Sequence, residues 1–408
     1  MRVDRPESRY DVLVVGGGMV GASFAALLAQ TPGGESLSIL VVEAASPEQS
    51  YQPSFDARST ALSWGTRRIL QGAGLWSELG DCVTPIKQIQ VSDRGHFGSA
   101  LLDRAETGTE ALGYVAENRH LGAVLNAALS AAPAIHLLAP ARIDAIRPRA
   151  GGMELDVESG PESTTITAGL VVLADGGRSP ICAQLGIEQE RRDYGQQALI
   201  ANISFTQAHD NVAYERFTED GPLAVLPLGD FEGRHRGALV WTVSVAASEA
   251  LQQLSDTELL PLLQAQFGHR LGTITGIGQR HCYPLGLSVA REQARPGLVL
   301  IGNVAHTLHP VAGQGFNLAL RDVAVLVKVL ARAVSGQRAP GELSVLQEYL
   351  EQQAFDQTRS IQFTDRMTRL FSSGDSARVW ARKFGILSID LLPSVRRQFA
   401  RQAMGLQL

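Results

Sequence analysis

Four short apolar runs organise the chain: residues 12–15, 38–42, 170–174 and 298–301. They are rich in Val, Ile and Leu and are bounded by turn residues, the pattern of strands buried in a sheet. The first closes on Gly16-Gly17-Gly18-Met19-Val20-Gly21, the third on Asp175-Gly176-Gly177 and the fourth on Gly302-Asn303. Helical patterning fills much of the space between. Residues 22–29 form a small-residue run, residues 64–70 look helical, and Leu121, Val124, Leu125 and Leu129 lie on one helical face. Residues 143–166 alternate in the manner of short strands. From about 197 to 289 the texture changes to short strand-like segments split by Gly, Pro and Asp, interrupted by one helix near 251–267. Residues 318–334, and the chain from 342 onward, again read as helix. The pattern predicts an α/β fold with a mainly antiparallel sheet inserted into it and helices at the C-terminal end.

The first run carries specific chemistry. Gly16-x-Gly18-x-x-Gly21 follows a strand and opens a helix, and Glu43 ends the next strand. In a dinucleotide site Gly16 permits the tight turn, Gly18 admits the pyrophosphate, and Gly21 lets helix and strand pack closely. The helix N-terminus faces the phosphates, and Glu43 can accept hydrogen bonds from a ribose. Residues 12–34 hold no charged side chain, which passes the length test for a membrane span of about 18 residues. The glycines, and Pro32-Gly33-Gly34 after them, argue against one continuous helix. The mixed-charge leader, with no cleavage pattern after it, reads as the start of a soluble protein rather than a signal peptide.

Composition excludes more than it assigns. A net charge of -5 gives no reason to expect nucleic acid as partner. Cys82, Cys182 and Cys282 are far apart and form no C-x-x-C, so they read as buried small residues in a reducing cytoplasm. The histidines show no ligand spacing, and no metal is expected. Arg58 is either a solvated charge at a helix end or a phosphate or ribose contact. Asn118, at the head of its helix, is first an N-cap candidate and second a cofactor contact.

Taken together, these turns resemble the three motifs of the flavoprotein aromatic hydroxylases, the single-component FAD monooxygenases of the p-hydroxybenzoate hydroxylase type. Gly16-x-Gly18-x-x-Gly21 is similar to the first motif and Asp175-Gly176-x-x-Ser179 to the second. Gly302-Asn303 with His309-Pro310-x-x-Gly313-Gln314-Gly315-x-Asn317 is similar to the third. The likeness spans essentially the whole chain. Asn303 departs from the Asp usual in that place, yet an amide can still bond a ribityl hydroxyl. Within the family the chain most resembles the ubiquinone-biosynthesis hydroxylases of the 2-polyprenyl-6-methoxyphenol branch. That likeness rests on Asp56-Ala57-Arg58, Val91-Ser92-Asp93-Arg94-Gly95-His96, Glu215-Arg216-Phe217, Gly221-Pro222-Leu223-Ala224 and Asn303.

The resemblance implies a Rossmann-like FAD-binding domain over 1–85, 110–190 and 290–340. It also implies a substrate domain over 86–109 and 191–289, and a C-terminal helical region from 341. FAD would contact Gly16, Gly18, Met19, Val20, Gly21, Glu43, Arg58, Asn118, Asp175, Gly176, Gly302, Asn303, Gly313, Gln314, Gly315, Phe316 and Asn317. NAD(P)H would reduce it as a visiting co-substrate, and one oxygen of O2 would pass to a polyprenyl phenol. Pro310 and His309 would lie by the reacting ring; read without the motif, His309 is more often structural. Phe217, Leu226 and Tyr283 are candidate pocket residues, though aromatics on a sheet face are usually core. Partner proteins of the biosynthetic complex and peripheral contact with the inner membrane from the cytoplasm are expected. Residues 394–408, basic with interleaved apolar residues, are the docking candidate for either. Two rivals share the FAD motifs: a flavin-dependent reductase of a lipid double bond, and an FAD-stabilised scaffold subunit.

Overall fold

The computed structural model describes residues 7–46, 58–94, 99–177, 179–219, 221–309, 313–371, 401 and 404–405. The apolar runs form the middle of one sheet. Its strands lie in the order Ala294–Arg295, Leu298–Leu300, Glu162–Leu173, Arg9–Val15, Ile39–Val42 and Ile135–Leu138. All neighbours after the first pair run parallel. Both faces of such a sheet must be covered, and alternate residues serve each. Val12, Val14, Ile39, Val41 and Val172 face the helices Met19–Gln30, Asn118–Ala131 and Gln314–Ser335. Leu13, Val15, Leu40 and Leu173 face the hairpin that contributes Ile146 and Leu155.

Two elements are longer than the sequence pattern predicts. The short strands of 143–166 and the apolar run at 170 meet in one strand, Glu162–Leu173, which leaves the hairpin and enters the parallel core without a break. Gln189–Phe205 is likewise continuous, reaching well upstream of Ala198 because it pairs with Arg234–Ser244 and His281–Ala290 together.

This strand belongs to a second sheet, in the order His306–Thr307, His281–Ala290, Gln189–Phe205, Arg234–Ser244, Pro222–Phe231, Val212–Phe217, Gln88–Asp93 and Ser99–Asp103. It is antiparallel except where Val212–Phe217 runs parallel to Gln88–Asp93. One face, with Leu199, Val225, Leu239 and Trp241, is covered by the helices Val245–Gln253 and Asp256–Phe267. Sequence pattern merges these into one helix. The chain breaks at Ser255, where the Glu258 carboxylate accepts the Ser255 N–H at 2.9 Å and starts a new helix. Ser59–Ser63 is a strand as well, paired with Gly113–Glu117 in a small third sheet with Val83–Ile86. Cys182 is buried, but Cys82 lies exposed in the turn Gly80–Cys82, contrary to its expected burial. Among the described residues no helix is long and apolar enough to cross a membrane.

Candidate active site

The three glycine turns meet. Val15 pairs with Leu173 and Leu173 with Leu300, so three neighbouring strands end level at one edge of the parallel sheet. Contact between the turns requires glycine. Gly16 has φ +99°, and a Cβ there would stand 2.7 Å from the Ala174 carbonyl oxygen. A Cβ on Gly21 would stand 1.9 Å from the Gly16 oxygen, closer than any side chain can approach. Gly18 caps the helix Met19–Gln30, and Gly302 lies against Val20 of that helix, 3.1 Å from the Val20 Cγ1 to an added Cβ. Glu43 is held at the mouth of the first turn. Its carboxylate accepts the Gly17 N–H at 2.6 Å and the Ala45 N–H at 2.8 Å.

The third motif supplies a second helix start. Gln314–Ser335 follows Gly313 in the left-handed region, φ +60°, with no side-chain cap. Its first N–H groups therefore need partners from outside the helix. Asn317 holds this start in place with its whole side chain. Its Oδ1 accepts the Ser63 N–H at 2.8 Å and the Thr66 hydroxyl at 2.7 Å, and its Nδ2 donates to the Ala61 and Gly313 oxygens at 2.9 and 2.6 Å. Contact between Asn317 and a cofactor would thus fall to its backbone.

These residues fit a flavin dinucleotide. Space is open beside Gly176 and Gly315, where an added Cβ would meet nothing within 4 Å. Asp175 Oδ1 is buried in the crevice without a hydrogen-bond partner, and burial raises the carboxyl pKa. Such an atom suits a hydroxyl donor from a ligand. Asn303 is exposed at the same edge.

A cavity of about 390 Å³ adjoins this crevice, within the roughly 300–1,000 Å³ usual for small-molecule sites. Asn303, Gly313, Gly315 and Phe316 border it on the motif side. The second sheet supplies the opposite wall, with Ile89, Val91, Ala213, Ala224, Leu226 and Val240. Leu226 is therefore at the cavity. Phe217 and Tyr283 do not border it: Phe217 is fully buried in the sheet, and Tyr283 lies 4.9 Å beneath the Arg58 guanidinium. His309 is also buried away from the wall, edge-on to Tyr194 at 5.7 Å. Burial lowers its pKa to about 4. Pro310 lies outside the described residues.

Three further expectations change. Asn118 is not an N-cap. Glu117 takes that place, and Asn118 Oδ1 instead accepts the Thr60 hydroxyl at 2.7 Å, tying the helix to the strand Ser59–Ser63. Arg58 precedes that strand, not a helix, and covers an aromatic ring. Most of the docking candidate 394–408 lies outside the described residues, but Met404 and Gly405 do not form a free surface. Met404 is 1 % exposed, borders the cavity and accepts the Gly65 N–H at 2.9 Å.

Sequence reasoning assigned no role to Ser63, Thr66 or Glu215. The first two meet Asn317 through a backbone N–H and a hydroxyl, across a sequence separation that no local pattern reveals. Glu215 did carry a signal: Ala213-x-Glu215-x-Phe217 puts a carboxylate on the apolar side of an alternating strand.

The family described as FAD binding domain matches residues 9–360. The chain belongs to the FAD-dependent aromatic monooxygenases. It is 35% identical over 396 residues to the ubiquinone hydroxylase UbiL of Rhodospirillum rubrum, covering 97% of this chain and 89% of that protein. It is 31% identical to the 3-demethoxyubiquinol 3-hydroxylase of Escherichia coli, covering 97% and 98%. Among solved structures, p-nitrophenol 4-monooxygenase PnpA of Pseudomonas putida superposes with a TM-score of 0.77 at 18% identity, over 97% of this chain and 98% of that one. The shared fold agrees with the α/β arrangement of parallel and antiparallel sheets expected from the sequence. FAD is the cofactor of this monooxygenase and NAD(P)H its co-substrate.

Proposed function

We propose that this monooxygenase hydroxylates the aromatic ring of a polyprenyl phenol, 2-polyprenyl-6-methoxyphenol, in ubiquinone biosynthesis. The observation that carries the reading is the cavity. Its sheet wall is largely apolar, and its other wall is formed by the third motif, to which the flavin ring is assigned. An apolar cavity suits a substituted phenol, and relatives named as ubiquinone hydroxylases supply the substrate class. Bound FAD, reduced by NAD(P)H, supplies the activation of O2. The chain's own residues bind, orient and keep water out. Gly16, Gly18, Gly21 and Glu43 hold the adenosine and pyrophosphate half. Asp175 and Asn303 offer bonds to ribityl hydroxyls, and Asn317 fixes the helix start that faces the pyrimidine end of the ring. A helix N-terminus stabilises negative charge there by roughly 0.3–1 kcal/mol, and up to ~2 when partly buried.

The relative named as a 3-demethoxyubiquinol 3-hydroxylase favours a second reading, in which another carbon of the same ring is the target. The quinone precursor that accumulates in a deletion strain separates the two. Since the prenyl tail is insoluble in water, the protein meets its substrate at the inner-membrane surface or through partner proteins of the pathway. The test of function is oxygen from labelled O2 in the phenolic product, together with NAD(P)H oxidation that rises when the phenol is added. NAD(P)H oxidation without labelled product would instead support a reductase, and no stimulated oxidation would support a scaffold.

A further inference from the structure

The sheet wall of the cavity carries one carboxylate. Along Val212–Phe217 alternate side chains face opposite sides. Tyr214 turns its ring to Phe267 on the helix-covered face, edge-on at 5.8 Å, and Arg216 donates to the Phe267 carbonyl at 2.8 Å. Ala213 and Glu215 border the cavity. The neighbouring strands present Val91 and Ala224 beside Glu215, so its surroundings are apolar on both sides. Apart from Glu215, the sheet residues bordering the cavity that carry polar side chains are Tyr214, Thr242 and Thr307, none of them ionised at neutral pH.

A carboxylate in such a place costs several kcal/mol unless something compensates it. No described residue forms a hydrogen bond or ion pair with the Glu215 side chain. A structural glutamate would have a partner, whereas this one faces the space a substrate fills.

We propose that Glu215 is the general base that takes the hydroxyl proton of the phenol as its ring is hydroxylated. The inference rests on the phenolic substrate proposed above. In this step the phenol O–H bond breaks and a new O–H bond forms on the Glu215 carboxylate. The electron pair stays on the phenol oxygen, which raises electron density at the ring carbon that accepts oxygen. The proton leaves Glu215 when the original phenol oxygen of the hydroxylated product reclaims it, so the carboxylate is regenerated. The acidity suits the task. Burial pushes the Glu215 carboxyl up to about 7, and a base works best with its pKa near the working pH. Tyr214 is the other ionisable residue bordering the cavity among those described, and no charged group acts on Glu215 to move it further.

The test compares wild type with Glu215→Gln and Glu215→Asp in single-turnover hydroxylation from pH 5.5 to 9. The wild-type rate is expected to rise through an inflection near neutral pH. Glu215→Gln should bind FAD and phenol normally, lose that inflection and hydroxylate about 10²–10⁴-fold more slowly, releasing hydrogen peroxide in place of product. Its deficit should shrink for ring-fluorinated phenols in step with their greater acidity, because a more acidic hydroxyl leans less on a base. Glu215→Asp keeps a carboxylate and should recover part of the rate together with a pH inflection. Independently of turnover, infrared difference spectra across the same range should show a carboxylic acid band that vanishes in Glu215→Gln. A Gln variant with wild-type rate and pH profile overturns the role, as does loss of FAD or folding in both variants. Wild type that places no labelled oxygen in any phenol removes the proposed function itself, and the base with it.

Discussion

Asn317 accepts the backbone N–H of Ser63 at 2.8 Å across 254 residues of sequence. With the Thr66 hydroxyl on the same oxygen, this bond docks the start of the helix Gln314–Ser335 onto the strand Ser59–Ser63. The two elements border the cavity together, so one amide side chain holds the third motif against the strand that forms an adjoining side of the cavity. Asn317→Leu keeps most of the volume but leaves the Ser63 N–H buried without an acceptor. Each such loss costs about 1–3 kcal/mol. The variant should melt at lower temperature and retain less FAD through purification. Unchanged melting and flavin content would show that the clamp is dispensable.

Gly21→Val should give a protein without flavin. Its Cβ would fall 1.9 Å from the Gly16 carbonyl oxygen, so the helix Met19–Gln30 must move off the strand that carries the glycine turn. The anion-binding N–H groups move with it. The absorbance of the purified protein near 450 nm reads the effect directly, with circular dichroism to confirm that the chain still folds. A yellow, folded Gly21→Val protein is the outcome that removes this account of the loop.

Much of this site is legible in sequence because its constraints are local. A tight turn requires Gly16, a close helix–strand approach requires Gly21, and buried parallel strands write themselves as continuous Val, Ile and Leu. Helix ends were harder to read. Asn118 has the right side chain for a cap, but Thr60, far away in sequence, holds it. The break at Ser255 has a capping signature in Ser255 and Glu258, yet the apolar spacing on both sides obscures it. The cavity wall is non-local throughout. Ala213, Ala224, Val240 and Met404 share a surface only after several strands pair and the C-terminal residues return to Gly65. For this reason, of the three candidate pocket residues, Leu226 borders the cavity while Phe217 and Tyr283 do not.

Asn303 takes the place of an aspartate usual in related enzymes, and at this edge it is exposed toward the crevice. A ribityl hydroxyl can donate to its Oδ1 or accept from its Nδ2. Asn303→Asp preserves an acceptor and should keep FAD. Asn303→Leu leaves the hydroxyl unpaired once the flavin covers it, at about 1–3 kcal/mol or tenfold or more in affinity. Fluorescence titration of the apoprotein with FAD measures both. Equal dissociation constants for wild type and Asn303→Leu would place Asn303 outside the flavin site.

His309 makes stability depend on acid in a defined direction. Burial lowers its pKa from 6.5 to about 4, so the folded protein holds it neutral while the unfolded chain protonates it at the higher pH. Above pH 6.5 both states are neutral and the group contributes nothing to the slope. As pH falls from 6.5 toward 4, the unfolded state binds the proton first and unfolding becomes easier. The full difference is on the order of 3 kcal/mol, from ~1.4 kcal/mol per pKa unit. His309→Gln removes the titrating group while keeping a polar side chain beside Tyr194. Wild type should therefore lose stability faster than His309→Gln between pH 6.5 and 4, with parallel curves above pH 7. A histidine neutral at working pH also cannot donate a proton to the reacting ring, so the same variant should leave the neutral-pH inflection of hydroxylation in place. Parallel melting curves down to pH 4 would mean that His309 is protonated in the folded protein. A lost inflection would return it to the list of catalytic groups.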